Sequence, residues 1–258
     1  MTFLKMSFFA CILTIAWSLS PAQTATDIVK KADEKYRGKS SYSEMTMTIV
    51  RPKWSRTVKF KSCNSGSDYS MTLITDPVKE KGQTYMKRKN EIWSWNPSIS
   101  RLVKMPPSMM SQGWMGSDFS NDDVIQESSI VADYIHKIIG EETVAGKLCH
   151  KIQLDPKDDA AVVWGKLIIW ISKTDYLQLK TQYFDEDGYL MKTEIASKIK
   201  VMSGREIPTY FELIPEDEPG NKTIVVMDKI IYDITAPETF FSQQNMKKGE
   251  KLVFPISR

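Results

Sequence analysis

From Ser43 onward the chain alternates between apolar and polar positions. In SEMTMTIV, Met45, Met47 and Ile49 fall every second residue between Glu44, Thr46 and Thr48. That period of two marks a strand with one buried face. RTVKFKSC repeats it, with Val58 and Phe60 against Thr57, Lys59 and Lys61, and DYSMTLI sets Tyr69, Met71 and Leu73 against Ser70 and Thr72. QTYMKR, EIWSWN and SRLVKM follow. The pattern then breaks, and resumes in DYIHKIIGEETVAG, KLCHKIQLDP, WGKLIIWISK, LQLKTQYF, YLMKTEIASKIKV, IPTYFELIP and TIVVMDKIIYDI. Between these stretches lie turn signals such as VAGK, DEDG, MSGR and EDEPGN. Roughly ten strands joined mostly by short turns predict an antiparallel meander. One sheet of that size must curl or close, and its concave apolar face must be filled.

Three stretches depart from the alternation. ATDIVKKADEKYRGKSS (Ala25 to Ser41) reads as a helix, with Thr26 as N-cap, Asp27 in the first turn, Ile28, Val29, Ala32 and Tyr36 as a narrow apolar stripe, and Gly38 as the stop. A short helical element is expected near PETFFSQQNMKKG at the C-terminal end. Between the two groups of strands lies MPPSMMSQGWMGSDFSNDDV, Met105 to Val124, with four methionines, Trp114, Phe119, two prolines and an acidic patch. Methionine is unbranched and polarisable and suits surfaces that must fit variable apolar shapes. Composition leaves two readings for this segment: a fixed plug in the core, or a movable lid that faces a ligand.

The chain has 258 residues, of which 41% are hydrophobic and 26% charged, an ordinary globular balance. Residues 1–22 read as a secretory signal peptide. Lys5 provides the positive start, Met6 to Leu19 an uninterrupted apolar run, and SPA (Ser20 to Ala22) the small residues of a cleavage site. Cys11 lies too early in the run for a lipoprotein signal. Residues 23–258 are read as one domain, with no low-complexity linker and no internal repeat. Removing Lys5 takes a formal charge of +3 to +2. No basic stripe stands out, so nucleic acid is not an expected partner, and a monomer is expected. Cys63 and Cys149 remain; they could form a disulfide in an oxidising compartment or stay as free thiols.

The chemistry of catalysis is sparse. His136 and His150, the two histidines of the chain, sit in strand patterns beside lysines, and no metalloprotease, nucleophile-elbow or paired CxxC motif occurs. Cys149 neighbours His150, but adjacent strand residues point to opposite faces. YFDEDGYLMKTE matches part of a calcium loop, yet Tyr183 stands where the first carboxylate is needed, and DEDG reads as a hairpin turn. Asp118, Asp122 and Asp123 form a second acidic group, read as a helix start with Ser120 as cap rather than a metal site. An enzyme is not expected, and neither a metal nor a cofactor.

WSWNPSISRLVKMPPSMMSQGWMGSDFSNDDV resembles the segment typical of LolA-like outer-membrane lipoprotein-sorting proteins. The residues that carry the likeness are Trp95, Pro97, Arg101, the run from Met115 through Gly116, Ser117, Asp118 and Phe119 to Ser120, and then Asp122 and Asp123. ATDIVKKADEKYRG, IPTYFELI and ITAPETFFSQQNM add weaker matches, so the resemblance covers the chain beyond the signal peptide. It implies a mainly β fold: a curved antiparallel sheet forming an incomplete, half-open barrel of about eleven strands, with an N-terminal helix and a lid over the concave face. It also implies a periplasmic carrier that holds the acyl chains of lipoproteins, or other lipids, in an apolar cavity and shuttles them toward the outer membrane. Its partners would be an inner-membrane transporter, in some branches of the resistance-nodulation-division type, and an outer-membrane acceptor. The alternative is a lipid- or lipoprotein-sensing module that works with an inner-membrane partner.

The candidate cavity and lid residues are Met45, Met47, Trp93, Trp95, Met105, Met109, Met110, Trp114, Met115 and Phe119. The family's lid is held through hydrogen bonds from an arginine to lid carbonyls, and the candidate for that role is Arg56 at the start of RTVKF. Arg101, Gly116, Ser117 and Asp118 are the motif residues carried over from the resemblance.

Overall fold

The computed structural model describes residues 23–126 and 129–257. The signal peptide expected over residues 1–22 lies outside the described residues. Thirteen strands form one antiparallel sheet: β1 (Ser40–Arg51), β2 (Trp54–Ser65), β3 (Tyr69–Asp76), β4 (Thr84–Arg88), β5 (Glu91–Asn96), β6 (Arg101–Lys104), β7 (Tyr134–Val144), β8 (Lys147–Pro156), β9 (Lys166–Ser172), β10 (Gln178–Phe184), β11 (Leu190–Met202), β12 (Arg205–Pro215) and β13 (Lys222–Tyr232). Their spatial order is β6-β5-β4-β3-β2-β1-β13-β12-β11-β10-β9-β8-β7. The sheet is curved and open, because β6 and β7 are its two edges and do not pair. It exceeds the strand number implied by the family resemblance because every alternating stretch pairs, including the four-residue β6.

The first six strands run outward from the centre to one edge, and the last seven run back from the other edge. The two halves meet where β13 pairs with β1, Met45 opposite Met227 and Met47 opposite Val225. Residues 105–133 must therefore carry the chain from one edge of the sheet to the other. The described residues 105–126 run across the concave face.

Two blocks cover that face. The first is helix α1 (Ala25–Arg37). Its N-cap is Thr24, whose hydroxyl accepts from the Asp27 amide while the Asp27 carboxylate accepts from the Thr24 amide. The helix thus starts two residues before the position expected from Thr26, and the Asp27 side chain that completes this reciprocal cap is what moves the boundary. Thr26 lies inside the helix, and its hydroxyl meets His136 Nδ1 at 3.1 Å. Gly38 ends it at φ 68°, a left-handed value that favours glycine. Ala25, Ile28, Val29 and Ala32 pack on Ile152, Leu154, Leu167 and Ile169 of β8 and β9. The second block is the Met-rich segment, in which Met105, Met110, Trp114, Phe119 and Ile125 pack on Met47, Ile49, Val58, Phe60 and Ile74 of β1 to β3.

The convex face of β1 to β5 is covered as well. Tyr69, Met71 and Leu73 of β3 point there and meet Phe240, Phe241, Met246, Leu252 and Phe254 of the C-terminal segment, which includes the short helix α2 (Gln243–Met246). Trp93 and Trp95 pack against this cluster. They belong to the convex side, so as cavity candidates they are corrected: the alternation of β5 turns them away from the concave face. Cys63 and Cys149 are both buried and free, one in the cluster beneath the C-terminal segment and the other against Trp170, Leu177 and Leu179. Burial pushes the Cys63 thiol up to about 12.

Phe241 is fully buried in the convex cluster. Phe241→Ala is expected to cost about 3–5 kcal/mol, read as a lower urea midpoint. An unchanged midpoint would mean that the C-terminal segment is not part of the cooperative core.

Candidate functional site

Between the two covering blocks the concave face stays open as a cavity of about 330 Å³, within the roughly 300–1,000 Å³ of small-molecule sites. Its floor is Met45 and Met47 of β1, Phe60 of β2, Val225 and Met227 of β13, Ile207 and Phe211 of β12, and Leu167 and Ile169 of β9. Ala32 and Tyr36 of α1 close one side, and Trp114, Phe119 and Val124 the other. Among the described lining residues Tyr36 alone is exposed, at 38%, and its ring stands edge-on to Phe211 at 5.7 Å. From Ser41 to Met47 the lining follows seven residues of β1, six steps or about 20 Å at 3.3 Å per residue.

The Met-rich segment divides its labour. Met105 and Met110 are buried in the core cluster, and Met109 and Met115 pack against it without lining the cavity. Trp114 and Phe119 do line it. Trp114 is wedged edge-on between Phe60, at 5.2 Å, and Tyr85, at 5.7 Å. The segment is therefore a plug along its outer part and a cavity wall along its inner part.

As it crosses the sheet, this segment is tied to one strand after another. Arg56 of β2 donates to the Met115 carbonyl at 3.3 Å and pairs with Glu80 at 3.0 Å. Arg51 of β1 donates to the Gly116 carbonyl at 3.2 Å and grips both oxygens of Asp118, at 2.9 and 3.1 Å. Thr223 of β13 donates to Asp118 at 2.6 Å and accepts from the Asp118 amide at 3.0 Å. Lys192 of β11 reaches the Asp118 carbonyl at 3.1 Å and the Asp123 carboxylate at 2.5 Å. Trp164, just before β9, donates to the other Asp123 oxygen at 3.1 Å.

The MGSDFS run acquires a physical reading from these ties. Met115 and Gly116 both take positive φ, 53° and 77°, a reversal that needs the glycine. The Ser117 hydroxyl accepts from the Phe119 amide at 3.2 Å and fixes the next turn. Asp118 is the anchor, Phe119 enters the cavity, and Ser120 caps the π-helical turn Asp122–Gln126 by exchanging hydrogen bonds with Asp123. A Cβ on Gly113 would sit 2.7 Å from the Ser117 carbonyl oxygen, so the backbone crosses itself there. Arg101, the remaining motif residue, is exposed on the edge strand β6.

The sequence reading missed Arg51, Thr223, Lys192 and Glu194. On β11 the inward residues are Lys192, at 4% exposure, Glu194 and Ala196, while Ile195 is 38% exposed. Apolar alternation points to the wrong face of this strand. Glu194 lies at the end of the cavity that Phe119 and Asp123 also line, between Thr181 of β10 and Leu213 of β12. Burial, and then Asp123, push its carboxyl from 4.5 up to about 7, against the pull of Lys192 and of the Tyr183 hydroxyl. The two histidines take no part in the cavity: His136 Nε2 donates to the Ile130 carbonyl at 2.6 Å, and desolvation holds His150 below its usual range. Asp185 caps the β10–β11 turn by accepting from the Tyr189 amide. Among the described residues no group of acidic, histidine or cysteine side chains has the arrangement of a metal site, and no helix is long and apolar enough to cross a membrane.

A family model described as "-like: Uncharacterized protein" matches residues 66–248. No curated protein matches. Among solved structures, a DUF1329 family protein from Desulfovibrio piger superposes with a TM-score of 0.77 at 24% identity, over 86% of this chain and 97% of that one. A domain named for outer membrane lipoprotein sorting, from Vibrio parahaemolyticus, gives 0.77 at 18% identity over 86% and 98%. A LolA superfamily protein from Nitrosomonas europaea gives 0.75 at 20% identity over 86% and 98%. At these identities the likeness is one of fold.

Two outcomes are expected. Asp118→Ala leaves Arg51, 14% exposed, without its counter-charge; this costs about 3 kcal/mol and speeds protease cleavage within residues 105–126. Equal cleavage rates would show that the segment is held by packing alone. Glu194 is more readily protonated in the folded chain than in the unfolded one, so stability falls as pH rises from 4.5 through about 7. Glu194→Gln should flatten that fall, checked by urea midpoints at about pH 5 and about pH 8.

Proposed function

The chain belongs to this family of uncharacterized proteins and has the fold of the LolA superfamily, and from that premise we propose that it is a lipid carrier. It holds the acyl chain of a lipoprotein or another lipid in the concave cavity and moves it through the periplasm toward the outer membrane. Loading would come from an inner-membrane transporter and delivery would go to an outer-membrane acceptor. The observation that carries the reading is the elongated apolar cavity of about 330 Å³ under a segment tied down by polar contacts.

The energetics suit such a task. Exposing a 16-carbon chain to water costs roughly 12 kcal/mol at about 0.8 kcal/mol per CH₂, so unaided transfer through an aqueous compartment is negligible. A carrier needs a comparable apolar site and a way to give the cargo up. The ties from Arg51, Arg56 and Lys192 are hydrogen bonds and ion pairs that water can replace. The wall formed by Trp114 and Phe119 can therefore shift at less cost than a purely apolar core would demand.

Native mass spectrometry of the protein purified from its own envelope, followed by lipid extraction, is expected to show a bound lipid or acylated polypeptide. A fluorescent fatty acid should bind the emptied protein. Met227→Trp, which fills the middle of the cavity, should abolish that binding while costing about 1–3 kcal/mol in stability. Absence of bound lipid together with no uptake of the probe would remove the carrier reading.

A further inference from the structure

Among the described charged side chains of the cavity, Glu194 is the one that its own neighbours leave open to a ligand. It lines the end shared with Phe119 and Asp123, in the sheet row next to Met47, Val225, Phe211 and Ala196. Its hydrogen-bond partner among the described residues is the Tyr183 hydroxyl, which donates to one carboxylate oxygen at 3.3 Å. The neighbouring donors are already engaged: Lys192, the Trp164 indole and the Ser120 amide all serve Asp123, at 2.5, 3.1 and 2.7 Å. The second oxygen of Glu194 therefore has no donor among the described residues and borders the cavity. That oxygen is open to the cavity, and an apolar ligand that displaced its water would leave the acceptor unsatisfied, at about 1–3 kcal/mol.

We infer that the cavity takes an apolar chain bearing a hydroxyl group, and that Glu194 is the acceptor of that hydroxyl. The inference rests on the carrier reading and adds to it the class of ligand. Three kinds of polar group could reach the free oxygen, and the surroundings separate them. A carboxylate or phosphate would meet Asp122 and Glu194, which line this end, while the Lys192 ammonium that could attract it is already paired with Asp123. An ammonium would have to shed its water and would meet the Lys192 ammonium, which already lies 4.4 Å from the Trp164 ring and 4.8 Å from the Tyr183 ring. A hydroxyl is neutral and donates one proton to the carboxylate, as the site needs.

The rest of the cavity fits the same ligand. Ser41, Ser43 and Ser62 line its other end, about 20 Å along β1, on the side where Tyr36 is exposed. A chain lying between would have its polar head near the serines and Tyr36, its methylenes against Met45, Met227 and Phe211, and its hydroxyl at Glu194. The raised carboxyl of Glu194 agrees with an acceptor that lacks donors in the empty cavity.

The test compares hexadecanoic acid with its ω-hydroxy counterpart by displacement of a fluorescent fatty acid. At about pH 8, above the raised carboxyl of Glu194, the wild-type chain is expected to bind the hydroxylated acid about tenfold more tightly, the gain of one hydrogen bond to a charged acceptor. Glu194→Leu should reverse the order, and Glu194→Gln, which keeps an acceptor, should retain part of the preference. Circular dichroism checks that each variant folds; should Glu194→Leu not fold, the wild-type comparison and Glu194→Gln decide. Equal affinity, or preference for the plain acid, in the wild-type chain overturns the inference and leaves the carrier reading standing. Binding of neither acid overturns both.

Discussion

The path of the described residues 105–126 is dictated by where the sheet ends. β6 and β7 are its opposite edges, and the chain must pass from one to the other without threading the sheet. It does so over the concave face, where it buries apolar surface against β1 to β3. A crossing segment is thus a requirement of the topology, not an addition to it. Its methionines, its tryptophan and its anchoring aspartates are the means by which a long connection is made to lie still. Because α1 claims the part over β8 and β9, and the crossing segment claims the part over β1 to β3, the space left between them becomes the cavity.

Polar contacts decide where the crossing segment sits. Apolar packing would hold it against the sheet in many registers, since methionine adapts to varied neighbours. Asp118 removes that freedom, because Arg51 on β1 and Thr223 on β13 meet it from two strands that adjoin each other. Asp123 repeats the device with Lys192 and Trp164. The acidic patch that could suggest a metal site is thereby split between two cationic partners and a helix cap. Its charge is consumed in positioning.

Much of this was legible in the sequence where alternation was clean. The strands, the short turns, the N-terminal helix and the need for a filler over a curved sheet all follow from period and composition. The assignments that failed share a cause. Trp93 and Trp95 lie on the convex face because β3 to β5 are covered on both sides, so an aromatic residue there does not reveal which side it serves. Lys192 and Glu194 were invisible because they hold the inward face of β11 while Ile195 points out. Alternation assumes that the apolar face is the inner one, and at a polar cavity wall that assumption inverts. Arg51 ends a strand beside a turn, where a charge normally faces water, and only the tertiary fold brings Asp118 to it.

The pairing of β1 with β13 joins residues such as Ser41 and Tyr232, from the two ends of the chain. β1 is made before β13 and must wait for it before its second edge is satisfied. Contacts of such sequence separation are slow to form, and until they do the six-stranded N-terminal half presents an unpaired central strand to other chains. The barrier to folding should therefore lie at this seam, late in assembly. It also falls at the strand pair that anchors Asp118, so the cavity acquires its wall only when the two halves have met.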